Sequence, residues 1–146
     1  MSIFSDSELG YLRGTGRLAR LATIGPDGGP QIRPVGYLVN PDGTIDIGGI
    51  DNPATQKWRN VRRDPRVALV VDDTGDGPGW SPRWVEVRGT AELLPGEVPG
   101  GPFRGGAPGV IRIRPHRVLA QVDGTAHNRT VKGEHRDPAA PVTPAP

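Results

Sequence analysis

No cysteine occurs among the 146 residues, which excludes a disulfide framework, a thiolate metal cage and a cysteine nucleophile. Histidine is nearly as scarce. His116, His127 and His135 are the three in the chain, they do not fall at ligand spacing on one element, and no metal site is expected. No run of about 18 apolar residues exists, and the start MSIFSDSELG lacks the basic-then-apolar order of a signal peptide. A soluble, cytoplasmic protein that neither crosses nor needs a membrane is the expectation. Aromatic residues make up only 5% of the chain, too few for the stacking platforms of an RNA-binding module, and no nucleic-acid motif is present.

Glycine and proline, by contrast, are abundant, at 22 and 17 residues. That share reaches the composition of low-complexity chains, while the length suits one domain with its own core. Their positions favour the folded reading, because most mark boundaries. Ser5 and Glu8 form a capping-box pattern opening a short helix with Leu9 and Leu12, ended by Gly14 and Gly16. Residues 17–24 read as a strand, 25–30 as a turn and 31–39 as the returning strand, with Gln31, Arg33, Val35, Tyr37 and Val39 on one face. A second turn at 40–43 and a strand at 44–48 complete an antiparallel meander.

Asn52-Pro53 pairs a good N-cap with a residue favoured at the first helical position. Ala54, Trp58 and Val61 then recur at helical spacing to about Arg63, and Asp64-Pro65 ends the helix. Strands follow at 66–72 and 84–94, with Gly89 placed for a bulge, and then at 110–115 and 118–123, either as a pair or as one strand bent at Pro115. Segments 72–82, which encloses Trp80, and 95–109 are irregular. Six or seven short strands and two helices suggest a mainly β chain, a small barrel or a sandwich. The domain is expected over 1–131, with 132–146 a disordered tail by composition.

The formal charge of +2 conceals a local excess, since residues 57–66, KWRNVRRDPR, carry five cations and one anion. Such a run can serve a phosphorylated ligand or simply face solvent. At the start of the helix, unpaired N–H groups and the positive dipole end favour an anion. Lys57 adds a point charge there, Thr55 a hydroxyl, and Gly48-Gly49 lets a ligand approach the backbone closely. Arg59 and Arg62 are either anion contacts or solvated side chains, whereas Arg63 and Arg66 are expected to brace the Asp64-Pro65 corner. Trp58 follows the core stripe. Trp80 and Trp84 either stack on a planar ring or pack.

The strings LARLATIGPDGGPQIRPVGYLVNPDGTIDIGG (18–49), NPATQKWRNVRRDPRVALVVDD (52–73), VEVRGTAELL (85–94) and IRIRPHRV (111–118) together resemble the split-barrel family similar to pyridoxamine 5'-phosphate oxidase, in particular its coenzyme F420-using class. The resemblance implies a split β-barrel with two short helices, forming a homodimer that binds its cofactor in the interface. It implies cofactor contacts at Thr55, Gln56 and Lys57, which match the family's Ser/Thr-x-Lys phosphate pattern, and at Arg33 and Val35, which match its R-x-V strand. Gly48, Gly49 and Arg59 complete the expected cofactor-binding set. Where the FMN-using oxidases carry a further phosphate-binding Lys, this chain has Leu38.

The expected function is hydride transfer between F420 and a small unsaturated organic substrate, the cofactor carrying the chemistry. The alternatives are an FMN-dependent oxidoreductase of the pyridoxamine phosphate oxidase type and a non-catalytic carrier of F420 or flavin. No general acid is assigned, and segments 73–82 and 95–109 are expected to hold substrate specificity.

Overall fold

A computed structural model describes residues 3–14 and 16–131, so the predicted tail at 132–146 lies outside the described residues. The capping box forms as its sequence dictates: the Ser5 hydroxyl accepts from Glu8 N–H, and the Glu8 carboxylate accepts from Ser5 N–H, opening α1 (Asp6–Leu12). The strands are β1 (Ala19–Ile24), β2 (Pro30–Val35), β3 (Leu38–Val39), β4 (Ile45–Ile47), β5 (Arg66–Asp73), β6 (Arg83–Leu94), β7 (Val110–Gln121) and β8 (His127–Thr130). α2 (Gln56–Arg63) falls between β4 and β5. The described residues thus hold eight strands, β8 exceeding the expectation from sequence, and two α-helices.

All strand pairs are antiparallel, in the order β2-β1-β5-β6-β7-β4-β3, with β8 added to β7. β2 and β3 lie at opposite ends of this order, yet only Gly36 and Tyr37 separate them in the chain. Three peptide steps span at most about 11 Å. The ends of the sheet must therefore come together, and the sheet curls into a barrel.

This arrangement corrects two expectations. Residues 31–39 are not one strand, and the first three strands are not a meander. The chain leaves β1 at Val35, turns through Gly36 and Tyr37, and pairs again with β4 on the far edge. A side chain at Gly36 would collide with the Phe103 ring, and the Tyr37 hydroxyl donates to Leu12 O. Both contacts hold the corner that sequence alternation hides.

Inside the curl lie Leu21, Leu69, Val71, Val85, Val87, Ile111, Ile113, Val118 and Ala120. Along β7 the buried set moves from odd to even positions because His116 is an extra residue: Arg88 faces Arg117, but Gly89 faces Pro115. The bulge expected near Gly89 is therefore carried by β7. Gly89 is still required, since a side chain there would strike Arg114 O. Residues 110–121 form one continuous strand, and the irregular segment 95–109 holds a single 3-10 turn at Gly101–Phe103.

The α2 helix begins later than its sequence suggested. Asn52–Ala54 is a 3-10 turn, and Thr55 caps the α-helix by accepting from Trp58 N–H. Asn52 is fully buried instead, donating to Ile47 O at 2.9 Å and Gly109 O at 3.3 Å, so its amide joins β4 to the approach to β7. Ala54 is exposed, whereas Trp58 and Val61 enter the core. Truncating Trp58 to Ala would cost about 3–5 kcal/mol. Asp64 ends the helix as expected, and Arg66 braces that corner through its carboxylate.

Candidate functional site

The hairpin of β1 and β2 turns through Gly25, whose N–H donates to Gly29 O at 2.8 Å, and Gly28 adopts a positive φ of 81° that suits glycine. Its register sets Thr23 opposite Gln31 and Leu21 opposite Arg33. The buried stripe of α2 brings the start of that helix against the same hairpin. Between them lies a cavity of about 190 Å³, bounded by Leu21 and Thr23 of β1, residues 31–34 of β2 and residues 55–57.

The cavity is cationic. Burial, followed by the charge of Arg33, pushes the Lys57 ammonium below the usual lysine range. Neither Lys57 nor Arg33 has a carboxylate partner among the described residues. Other arginines are paired with carboxylates, as where Arg112 donates twice to Asp46 at 2.8 and 2.9 Å, and what sets Lys57 and Arg33 apart is that both border one cavity. An anion held by Lys57 and Arg33 would relieve the repulsion between them, and the first N–H groups of α2 add to the same field.

Of the residues expected from sequence, Arg33, Thr55, Gln56 and Lys57 meet at this cavity. Thr55 does so with its hydroxyl already engaged, donating to Asn52 O at 2.7 Å while accepting from Trp58 N–H. Val35 lies further along β2 in the core. Arg59 turns back to donate to Ala54 O at 3.1 Å and to the Gln56 side-chain oxygen at 2.9 Å. Gly48 and Gly49 do not border the cavity. A side chain at Gly48 would collide with Pro99 and Phe103, so the space there is taken by neighbouring chain, whereas one at Gly49 would make only ordinary contact with Asn52.

Leu38 sits on β3, packed beside Gly100 and Gly101. Trp80 is 82% exposed, and neither it nor Trp84 borders the cavity. Thr23, Gln31 and Leu21 are wall residues that the sequence reading passed over. Their signal lay in the strongly marked turn at 25–30, which sets Thr23 opposite Gln31 once the hairpin closes.

The residues fit the anionic part of a cofactor. Two cations without counter-ions face a partly enclosed space, and its volume suits a phosphate with adjoining atoms rather than a whole multi-ring ligand, for which roughly 300–1,000 Å³ is usual. The described residues contain no group of three or more His, Cys, Asp or Glu able to hold a metal. None of the described helices is long and apolar enough to cross a membrane.

Residues 12–103 match the family model of pyridoxamine 5'-phosphate oxidase. A 5a,11a-dehydrotetracycline/5a,11a-dehydrooxytetracycline reductase of Streptomyces rimosus is 40% identical over 119 residues, spanning 80% of this chain and 81% of that protein. Among solved structures, an F420 reductase superposes with a TM-score of 0.54 at 25% identity, over 70% of this chain and 88% of the other. A conserved hypothetical protein from Mycobacterium tuberculosis does so with a TM-score of 0.60 at 26% identity, over 91% and 95%.

Proposed function

The chain belongs to the pyridoxamine 5'-phosphate oxidase family, an oxidoreductase on that family's split β-barrel, and from this premise we propose that it reduces a small unsaturated organic substrate with coenzyme F420. The observation that carries the cofactor assignment is the unneutralised Lys57 and Arg33 pair at the cavity between α2 and β2. Bound F420 would supply the hydride, from its deazaflavin ring. Its phosphate and glutamate tail is more anionic than FMN, which has one phosphate, and the solved F420 reductase supports the same choice.

Lys57 and Arg33 would grip anionic oxygens, while the first turn of α2 adds its dipole. Leu21 and Pro34 would keep water from the held group. The reductase from Streptomyces rimosus, whose named substrates are dehydro compounds, supports an unsaturated organic acceptor.

The small cavity leaves the rest of such a cofactor to open surface. β2 is an edge strand whose Ile32 is 58% exposed beside this opening, and we propose that a second copy of the chain covers it, as a homodimer with the cofactor between subunits. Sedimentation should then give a dimer, with Ile32→Asp shifting it towards monomer.

The function is tested by titrating apoprotein with F420 and with FMN, following cofactor fluorescence, and repeating both with Lys57→Ala. Tight F420 binding weakened by the substitution is expected. FMN binding alone would move the assignment to a flavin-dependent oxidoreductase. Turnover of a panel of enones and imines with reduced F420 separates an enzyme from a carrier.

A further inference from the structure

Asn60 is fully buried in α2 and does not border the cavity, yet it contacts three side chains that do. Its amide nitrogen donates to the Thr23 hydroxyl at 3.0 Å and to the Gln31 side-chain oxygen at 2.8 Å. Its oxygen accepts from the Gln56 side-chain nitrogen at 2.8 Å and from the Arg63 guanidinium at 3.3 Å. All the hydrogen-bonding capacity of the amide is used.

The direction of these bonds is forced. A guanidinium can only donate, so the side of Asn60 facing Arg63 must be its oxygen. Arg63 is fixed independently by donating to Ile24 O at 2.7 Å. The nitrogen of Asn60 therefore faces Thr23 and Gln31, and the Thr23 oxygen serves as an acceptor. Thr23 is 3% exposed and borders the cavity. No acceptor among the described residues takes its own hydrogen.

We propose that Asn60 is a positioning residue that makes the Thr23 hydroxyl a hydrogen-bond donor to an anionic oxygen of the cofactor, beside Lys57. This rests on the reading of the cavity as the site of the cofactor's anionic part. Thr23 is then a binding residue additional to those expected from the sequence motifs, its polarity set from behind the wall by Arg63 through Asn60.

The test is a double-mutant cycle with F420 and FMN dissociation constants as the readout, and Lys57→Ala as a control for the site. Thr23→Val removes the donor at nearly constant volume and should weaken binding about 5–10-fold, with Thr23→Ser restoring it. Asn60→Asp replaces the two N–H donors by an acceptor. The Thr23 hydrogen then turns to the carboxylate, and Thr23→Val should cost less than about 2-fold in that background. A purely structural role, or charge repulsion from the new carboxylate, would leave the cost of Thr23→Val the same in both backgrounds and would overturn the proposal.

Should Asn60→Asp not fold, Asn60→Ser replaces it in the cycle. Its short side chain cannot hold Thr23, and Thr23→Val should again cost less than in the wild type. If the wild type binds a cofactor and Lys57→Ala weakens it while Thr23→Val does not, the proposal alone falls. If the wild type binds neither F420 nor FMN, the reading of the cavity falls and takes the proposal with it.

Discussion

Around Asp73, where α1 meets the ends of β5 and β6, one carboxylate accepts from Arg17 at 2.9 Å, from Arg83 at 3.1 Å and from the Tyr11 hydroxyl at 3.2 Å. Around Lys57, where α2 meets β2, two cations share a cavity and no carboxylate answers them among the described residues. The titration behaviour follows this difference. The Arg83 hydrogen bond, and after it Arg17, hold Asp73 well below the usual carboxylate range. Burial, and then Asp73, push Tyr11 up to about 12. Lys57 is pushed the other way, towards losing its charge. The first corner is satisfied without help from outside the chain, while under the proposed function the second would be satisfied by the anionic part of the cofactor. Charge at the first corner is matched within the chain, while at the second two cations without a carboxylate partner border one cavity.

The largest expected effect breaks the satisfied corner. Asp73→Asn should lower stability by about 1.5–2.5 kcal/mol at neutral pH, discounted for partial exposure, and lower Tm by about 5–10 °C, with cofactor affinity little changed. The folded-state pKa of Asp73 is depressed, so its contribution is complete above the ordinary carboxylate value and is lost as pH falls through the lowered one. The gap between wild type and Asp73→Asn should therefore begin to narrow below about pH 4 and keep narrowing as pH falls further, which acid-unfolding curves of the two proteins would show.

Lys57→Met comes next, with the signs exchanged. F420 affinity should fall about 10–30-fold, while thermal stability holds or rises. A lysine with a lowered folded-state pKa binds fewer protons folded than unfolded, so wild-type stability rises with pH up to the ordinary lysine value of about 10.4. The advantage of Lys57→Met should shrink over that window in denaturant titrations. Arg33→Gln, at the mouth of the same cavity, should cost about 5–10-fold in affinity. The smallest effect belongs to Arg59→Ala, less than about 2-fold, because that guanidinium is spent on Ala54 O and Gln56. A large loss there would show that a guanidinium held by neutral acceptors at the start of α2 also contributes to the grip on the anion.

Local signals were readable wherever one residue type dictates a backbone state. The capping box at Ser5, the turn at 25–30, the stop at Asp64-Pro65 and the strands at 66–72 and 84–94 all appear close to where their residues put them. The break of the second strand at Gly36-Tyr37 was not readable, because alternation continues through it. The ring packed against that corner, Phe103, lies far along the chain. The 3-10 turn at Asn52 escaped for a similar reason: a good capping residue was drawn into the core by carbonyls at Ile47 and Gly109.

The site divides along the same line. Thr55 and Lys57 could be named from their place at the start of the helix, whereas Gln56 and Arg33 were named through the family resemblance of their strings. Asn60 and Thr23 could not be linked, since one sits mid-helix and the other on a strand 37 residues away. Glu8 and Arg129 pair across 121 residues. Burial pushes the Glu8 carboxyl up, but hydrogen bonds from Arg129 and Ser5 N–H outweigh it and keep the group below its usual value.

By itself, the sequence determined the elements, their turns and caps, and the excess of cations at the start of α2, because each depends on neighbours a few residues apart. Tertiary structure alone decided which cations are neutralised, which amides fix the polarity of the cavity wall and where the sheet closes. Those depend on groups brought together by the curl of the sheet, at separations that no local pattern encodes.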